Sequence, residues 1–270
     1  MIEVCYFTDE VSQDFEEAVK LGMEAGADSI EIRGNLFGKS VENVEEKEIT
    51  KIKEILDKYS SRVAIIGSPV GKCSLKKPEE ISKHIDIFKR MCSLAHELNT
   101  DLIRTFPFFI PDKYKKTESR PNISNYIEEI VEGLKPMVEI AEQEDIKMCF
   151  ETEPSTFSGD CSEVKQITEA LGSSAARVTW DILGGWANSR ETPYPGGYKL
   201  IEGKIEHLHI KANHNNNIKT VGDSDVTYKE ILNHLINKGY DGAASIEHWK
   251  TPELMLSGIR QLRQLLNTIN

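Results

Sequence analysis

Short apolar runs alternate with amphipathic stretches along the whole chain. The runs IEVCYF (2–7), DSIEIR (28–33), RVAIIG (62–67), DLIRTF (101–106), KMCFE (147–151), RVTWD (177–181), IEHLHI (205–210) and AASIE (243–247) predict eight strands. Between them, SQDFEEAVKLGMEAGA, VENVEEKEITKIKEILDKY, PEEISKHIDIFKRMCSLAHELN, IEEIVEGLKPMVEIAEQE and YKEILNHLINKG repeat apolar residues at helical spacing, and TPELMLSGIRQLRQLLNTI closes the chain. Strand starts recur roughly every 35 residues, as strand, loop and crossover helix require. No linker rich in Pro, Gly or Ser breaks the series. The pattern predicts a (β/α)8 TIM barrel, one α/β domain over residues 1–270. An open doubly wound sheet fits less well, because no GxGxxG follows the first strand.

Two connections stand out for length, FFIPDKYKKTESRPNIS after the fourth strand and ILGGWANSRETPYPGGYKL after the sixth. Both lie on the C-terminal side of their strands, where barrel enzymes place their active sites.

Composition narrows the function. A net charge of -11 over 270 residues is the opposite of what a phosphate-binding nucleic-acid protein needs. No run of 18 apolar residues or signal peptide is present, which predicts a cytoplasmic protein. The five cysteines are scattered without a CxxC pair, so buried thiols are expected rather than disulfides or a zinc knuckle.

Strand side chains alternate between two faces, so parity sorts those that face the barrel axis from those that face the helices. In KMCFE, Met148 and Phe150 go outward and Cys149 and Glu151 inward. In RVTWD, Val178 and Trp180 go outward and Thr179 and Asp181 inward. In IEHLHIK, Leu208 and Ile210 face the helices while His207, His209 and Lys211 share the inner face. In AASIE, Ile246 goes outward and Glu247 inward. Four consecutive strands thus end in a metal-capable side chain. Carboxylates with one imidazole make a hard, mainly oxygen site for one divalent ion, Mn²⁺, Mg²⁺, Co²⁺ or Zn²⁺. Parity does not choose between His207 and His209. His209 lies nearer the C-terminal mouth.

The segments TDEVSQD, GADSIEIR, IGSPVGKC, IRTFPFF, FETEPSTFSG, WDILGGWAN, ETPYPGGY, HLHIKAN and IEHW carry a resemblance that spans the chain. They resemble the sugar phosphate isomerase/epimerase group of the xylose isomerase-like barrels. That resemblance implies Glu151, Asp181, His209 and Glu247 as the metal ligands, with the second histidine of HxHxK chosen over His207. It also implies Glu151 and Glu247 as the catalytic pair, one removing a proton and the other returning it through a metal-stabilised enediolate. Barrels of this group associate, so a homo-oligomer is expected. Where many members carry His or Asn three residues after the strand-six aspartate, this chain has Gly184, which implies a missing substrate contact that Asn188 would have to supply.

Arg33, Arg104 and Lys211 face inward at strand ends, and Lys72 sits in the loop after the third strand. These are candidate clamps for an anionic or polyhydroxylated substrate, a sugar or sugar phosphate. For Arg33 the competing expectation is neutralisation of Glu31, two residues away, and for Lys72 plain solvation. Glu153, Trp186, Tyr194, Tyr198 and His248 are expected to line the mouth, and Trp249 to anchor the last helix. A metal-dependent lyase acting on a keto-inositol or 3-keto-glycoside is the nearest alternative, since it starts with the same proton abstraction. A Schiff-base aldolase through Lys211 or Lys72, and a non-catalytic sugar-binding barrel, are more distant. Apurinic endonucleases share the barrel but need more histidines at the site and a basic surface, against seven histidines in all and a net charge of -11 here.

Overall fold

The first helix shows how the chain assembles. Phe15, Ala18, Val19 and Gly22 recur at helical spacing and form the buried stripe of α1 (Phe15–Glu24). Asp14 caps it by accepting from the Glu17 N–H at 2.8 Å. Gly22 is needed because a Cβ there would lie 2.0 Å from the Tyr6 ring, whose hydroxyl donates to the Ala18 carbonyl.

The computed structural model describes residues 1–115, 119–187, 192–212, 220–224 and 226–269. Its strands are β1 (Glu3–Tyr6), β2 (Ile30–Ile32), β3 (Val63–Gly67), β4 (Leu102–Thr105), β5 (Lys147–Glu151), β6 (Ala176–Asp181), β7 (Ile205–Ile210) and β8 (Ala243–Ile246). They follow the predicted runs. Seven strands are each followed by a main helix: α1, α2 (Glu46–Lys58), α3 (Pro78–Glu97), α4 (Ile127–Gln143), α5 (Cys161–Leu171), α7 (Tyr228–Asn237) and α8 (Pro252–Ile269). After β6 the described residues form short helical pieces, Ile182–Ala187 and α6 (Tyr198–Ile201).

The strands form one sheet in the order β1-β8-β7-β6-β5-β4-β3-β2, a nearly closed (β/α)8 barrel. Between β1 and β2 the pairing is a single parallel bridge, Phe7 to Glu31. The chain divides into two compact units. One comprises Met1–Gly67, Glu97–Thr100 and His207–Asn270, and the other Ser68–His96 and Asp101–Glu206.

In the first unit, Cys5, Ala64 and Ala243 form a small apolar cluster. Polar inward residues follow toward the strand ends: Glu31, His207 and Ser245, then His209 and Glu247, all buried. In the second unit, β4 and β5 set Arg104 against Cys149, and β5 and β6 set Glu151 against Thr179. All five cysteines are buried and free, as the sequence predicts. Burial first, and then the charge of Glu31, push the Cys5 thiol up to about 12. No helix among the described residues is long and apolar enough to cross a membrane.

Candidate active site

In the second unit, Glu151 ends β5 and Asp181 ends β6, both buried. The loop after β5 folds back on the strand ends. Ser158 Oγ donates to the Glu151 carbonyl at 2.6 Å and Thr152 Oγ1 to the Asp181 carbonyl at 2.8 Å. Arg104 Nη1 lies 3.4 Å from Glu151 Oε2, with the guanidinium 6% exposed, so the two buried charges meet. The Arg104 guanidinium is 5.3 Å and the Lys72 ammonium 4.3 Å from the Phe106 ring centre, which places two cations against one aromatic ring. Lys72 Nζ is 3.9 Å from Glu153 Oε2, but Glu153 also accepts from Ser155 through its amide and hydroxyl. Glu153 therefore serves its own turn.

Gly184 acquires a reason beyond a missing contact. Its N–H donates to Asp181 Oδ1 at 2.8 Å, and a Cβ there would sit 2.2 Å from Asp181 Oδ2 and 3.0 Å from the Thr152 carbonyl. The turn that orients the aspartate leaves no room for a side chain.

In the first unit the central group is His209. Its Nε2 lies 3.2 Å from Glu31 Oε2 and its Nδ1 3.2 Å from Glu247 Oε2. His207 sits one layer deeper, with Nε2 at 2.8 Å from Ser245 Oγ and 3.1 Å from Glu31 Oε2, while Ser245 Oγ donates to Glu31 Oε2 at 2.8 Å. Burial alone would raise the Glu31 pKa. The charge of His209 and the hydrogen bonds from His207 and His209 outweigh it and hold Glu31 well below the ordinary carboxylate range. Glu247 shows the same contest: burial pushes it up, and Lys211, His209 and His248 hold it far down. Lys211 Nζ is 3.2 Å from Glu247 Oε2, and the Tyr228 hydroxyl brackets the Lys211 backbone, accepting from its N–H and donating to its carbonyl.

Arg33 does not turn to Glu31. Its Nε lies 3.0 Å from Asp9 Oδ2, Nη2 3.0 Å from Glu10 Oε1 and Nη1 3.3 Å from Glu247 Oε1, with the guanidinium 4.4 Å over the Phe7 ring. Burial opposes its charge, but Asp9, Glu247 and Glu10 hold its pKa above the ordinary value. Glu31, one step deeper on β2, is taken by the histidines instead.

Among the mouth residues, Tyr198 is buried, packed near Trp180 and donating to Glu202, so it is core. Tyr194 is half-buried beside it. Trp249 is buried, donates to the Ile210 carbonyl and lies under Gly258 of α8, the anchor the sequence predicts. His248 is exposed. The Trp186 side chain and Asn188 lie outside the described residues.

Sequence reasoning missed Asp9, Glu10, Ser245 and Arg120, and the alternative that set Arg33 against Glu31 does not hold. Parity marks Ser245 as inward, two residues before Glu247. Arg120 carries no such signal, yet its guanidinium binds Glu163 and the carbonyls of Pro154 and Thr156, pinning the loop after β5.

Buried acidic and histidine groups here could hold a metal ion. Within the first unit, Glu31, His207 and His209 bring ligand-type atoms within 4.8 Å of one another, as do Glu10, Glu247 and His248. Glu31 can only accept, so His209 Nε2 carries a hydrogen, which leaves Nδ1, turned toward Glu247, as the nitrogen available to a metal ion. A carboxylate behind an imidazole N–H is the usual support for a metal-bound histidine. Glu247 Oε2 is buried and accepts no hydrogen bond of good geometry from a described residue. Its 3.2 Å separation from Nδ1 is close to the edge of about 3 Å expected between neighbouring ligands each about 2.1 Å from an octahedral ion. The donor chemistry fits a hard divalent cation.

Comparison with known proteins agrees with this fold. The sequence pattern described as "Xylose isomerase-like TIM barrel" matches residues 19–265. An uncharacterized protein of Methanocaldococcus jannaschii, MJ1311, is 27% identical over 217 residues, 75% of this chain and 69% of that one. Among solved structures, a D-tagatose 3-epimerase-like protein superposes with a TM-score of 0.81 at 19% identity, covering 100% of this chain and 98% of its own. The D-psicose 3-epimerase of Clostridium cellulolyticum H10, solved with D-tagatose, does so with a TM-score of 0.74 at 17% identity, covering 98% and 92%. With its matched pattern covering most of its length, the chain belongs to the xylose isomerase-like TIM barrel family.

Proposed function

We propose that this protein is a divalent-metal-dependent isomerase or epimerase of a sugar, keto-sugar or sugar phosphate, with Glu151, Asp181, His209 and Glu247 holding one ion of Mn, Mg, Co or Zn. The observation that carries the reading is His209, backed by Glu31 on one nitrogen and facing the buried Glu247 carboxylate with the other. All four side chains are buried, and each offers one ligand atom. The epimerase architecture of similar barrels supports the same reading and makes ketohexoses the first substrates to try.

When bound, the ion would polarise the substrate carbonyl and its neighbouring hydroxyl, which acidifies the C–H between them. Glu151 and Glu247 are the acid and base. Each has a cation beside it, Arg104 for Glu151 and Lys211 for Glu247, so neither buried carboxyl lacks a positive partner. One, ionised, removes the proton, and the other, protonated, delivers its own proton to the opposite face, so the two exchange protonation states in each turnover. Arg104, Lys211 and Lys72 supply positive charge for substrate hydroxyls or a phosphate, with Glu153 and Trp186 as further contacts, while Arg33, expected from sequence as a fourth clamp, is engaged by Asp9, Glu10 and Glu247. A net charge of -11 directs the site to small molecules rather than nucleic acid. We place the enzyme in the cytoplasm and expect copies of the barrel to associate.

Elemental analysis of protein loaded with manganese and freed of excess ion tests the ligand set. About one ion per wild-type chain is expected, and less than a tenth of that in His209→Ala and Asp181→Ala variants that keep the wild-type circular dichroism. Equal metal content in wild type and both variants would remove the site. Product analysis with keto-sugars then separates the chemistry, since a product lacking a hydroxyl or aglycone would make the enzyme a lyase.

A further inference from the structure

Three carboxylates crowd the strand ends of the first unit beyond His209. Glu247 Oε1, Glu10 Oε1 and the Nε2 of His248 form a second ligand-type group, with His248 Nε2 at 3.4 Å from Glu10 and 3.5 Å from Glu247. Asp9 adds a third carboxylate beside Glu10. This is an oxygen-rich set with one imidazole, again suited to a hard divalent cation. It is reached from solvent through a cavity of about 680 Å³ lined by Asp9, Glu10, Arg33, His248 and Lys250.

A cation already sits there. The guanidinium of Arg33 touches Asp9, Glu10 and Glu247 at 3.0 to 3.3 Å and rests on Phe7 at 4.4 Å, so it already engages the oxygens an ion would use. The Glu10 side chain is fixed in turn, since Glu10 Oε2 accepts from the His248 N–H at 2.7 Å, with His248 at a positive φ of 57°. The arrangement is built rather than incidental. Glu247 therefore divides its two oxygens: Oε2 faces His209 and Lys211, and Oε1 faces Arg33 and His248.

We propose that Arg33 is a resident cation that occupies the position of a second metal ion and so keeps the centre mononuclear. Arg33 balances carboxylates that would otherwise repel one another, and a fixed organic cation cannot bridge Glu247 to a second nucleophile-generating ion as a metal would. It is a positioning and selectivity residue acting through Glu247. The inference rests on the reading of one bound ion in the proposed function.

The test is metal stoichiometry by equilibrium dialysis against Mn²⁺ with elemental analysis, and the electron paramagnetic resonance signal of the bound manganese. Wild type is expected to hold about one ion per chain at every manganese concentration, and Arg33→Lys about one below about 1 mM Mn²⁺. Arg33→Met and Arg33→Gln, two neutral replacements of similar length, are expected to hold about two, with the exchange-coupled signal of a manganese pair. Adding His248→Ala or Glu10→Gln to Arg33→Met should return the count to about one. A count unchanged by the neutral replacements, in folded protein, overturns the proposal, as does a wild type that already holds two. If both neutral variants fail to fold, Arg33→Lys decides, because the shorter ammonium cannot reach all three carboxylates and a gain of weak second-ion binding is expected above about 1 mM Mn²⁺. No gain there also overturns the proposal. Failure of the parent reading looks different: wild type would hold none, whatever the Arg33 variants do.

Discussion

His209 is fixed at both ring nitrogens, and the carboxylate on the far side decides how well it can serve as a ligand. Glu31 accepts from His209, His207 and Ser245 through one oxygen, which orients the ring and raises its basicity. Glu31→Gln removes the charge and keeps the shape. Its manganese affinity should fall about 10- to 100-fold in a calorimetric titration, with the fold retained. Unchanged affinity would mean that Glu31 only fills space. Gly184→Ala should weaken manganese binding as well, because the new methyl would displace the Asp181 carboxylate that lies 2.2 Å from its position. That effect should appear in affinity before it appears in melting temperature. The sequence shows Gly184 only as a departure from a family pattern, since a steric reason needs the turn geometry.

Elements were the most legible level. Alternation within KMCFE, RVTWD, IEHLHI and AASIE predicts both the strands and which of their residues are buried inward, because a side chain one position along a strand must face the other way. Asp9 and Glu10 were invisible to this reasoning: they lie on the single helical turn after β1, where no alternation applies. Arg33 and Glu31 share a strand face, yet parity gives no depth, and depth sends one to the carboxylates and the other to the histidines. Helix α2 offers a test at this scale. Glu48 closes its capping box by accepting from the Glu45 N–H and pairs with Lys39 at 2.9 Å. Burial would raise its pKa, but Lys39 and the Glu45 amide bring it down to about 2 from an ordinary 4.5. A depressed carboxyl stabilises the fold above its unfolded value and loses that effect as it takes up a proton. Glu48→Gln should therefore melt below wild type at pH 7, with the gap closing as pH falls from 4.5 toward 2. A gap independent of pH would assign the effect to packing.

For the whole molecule, the barrel sets metal-type and cationic side chains at successive strand ends, and the loops supply supports that sequence alone does not reveal, such as Arg120 gripping the loop after β5. Glu151→Gln should lower turnover by about 10²- to 10⁴-fold, the usual contribution of a general acid or base, with metal still bound through the remaining ligands. The reaction itself is tested most directly by proton nuclear magnetic resonance of a ketohexose incubated in D₂O with manganese-loaded protein. Deuterium is expected at the hydroxyl-bearing carbon next to the carbonyl, together with an epimer or isomer, and both should be lost on chelation and in Glu151→Gln and Glu247→Gln. Epimerisation or isomerisation without deuterium entry, or turnover that survives complete removal of metal, would contradict metal-dependent proton transfer.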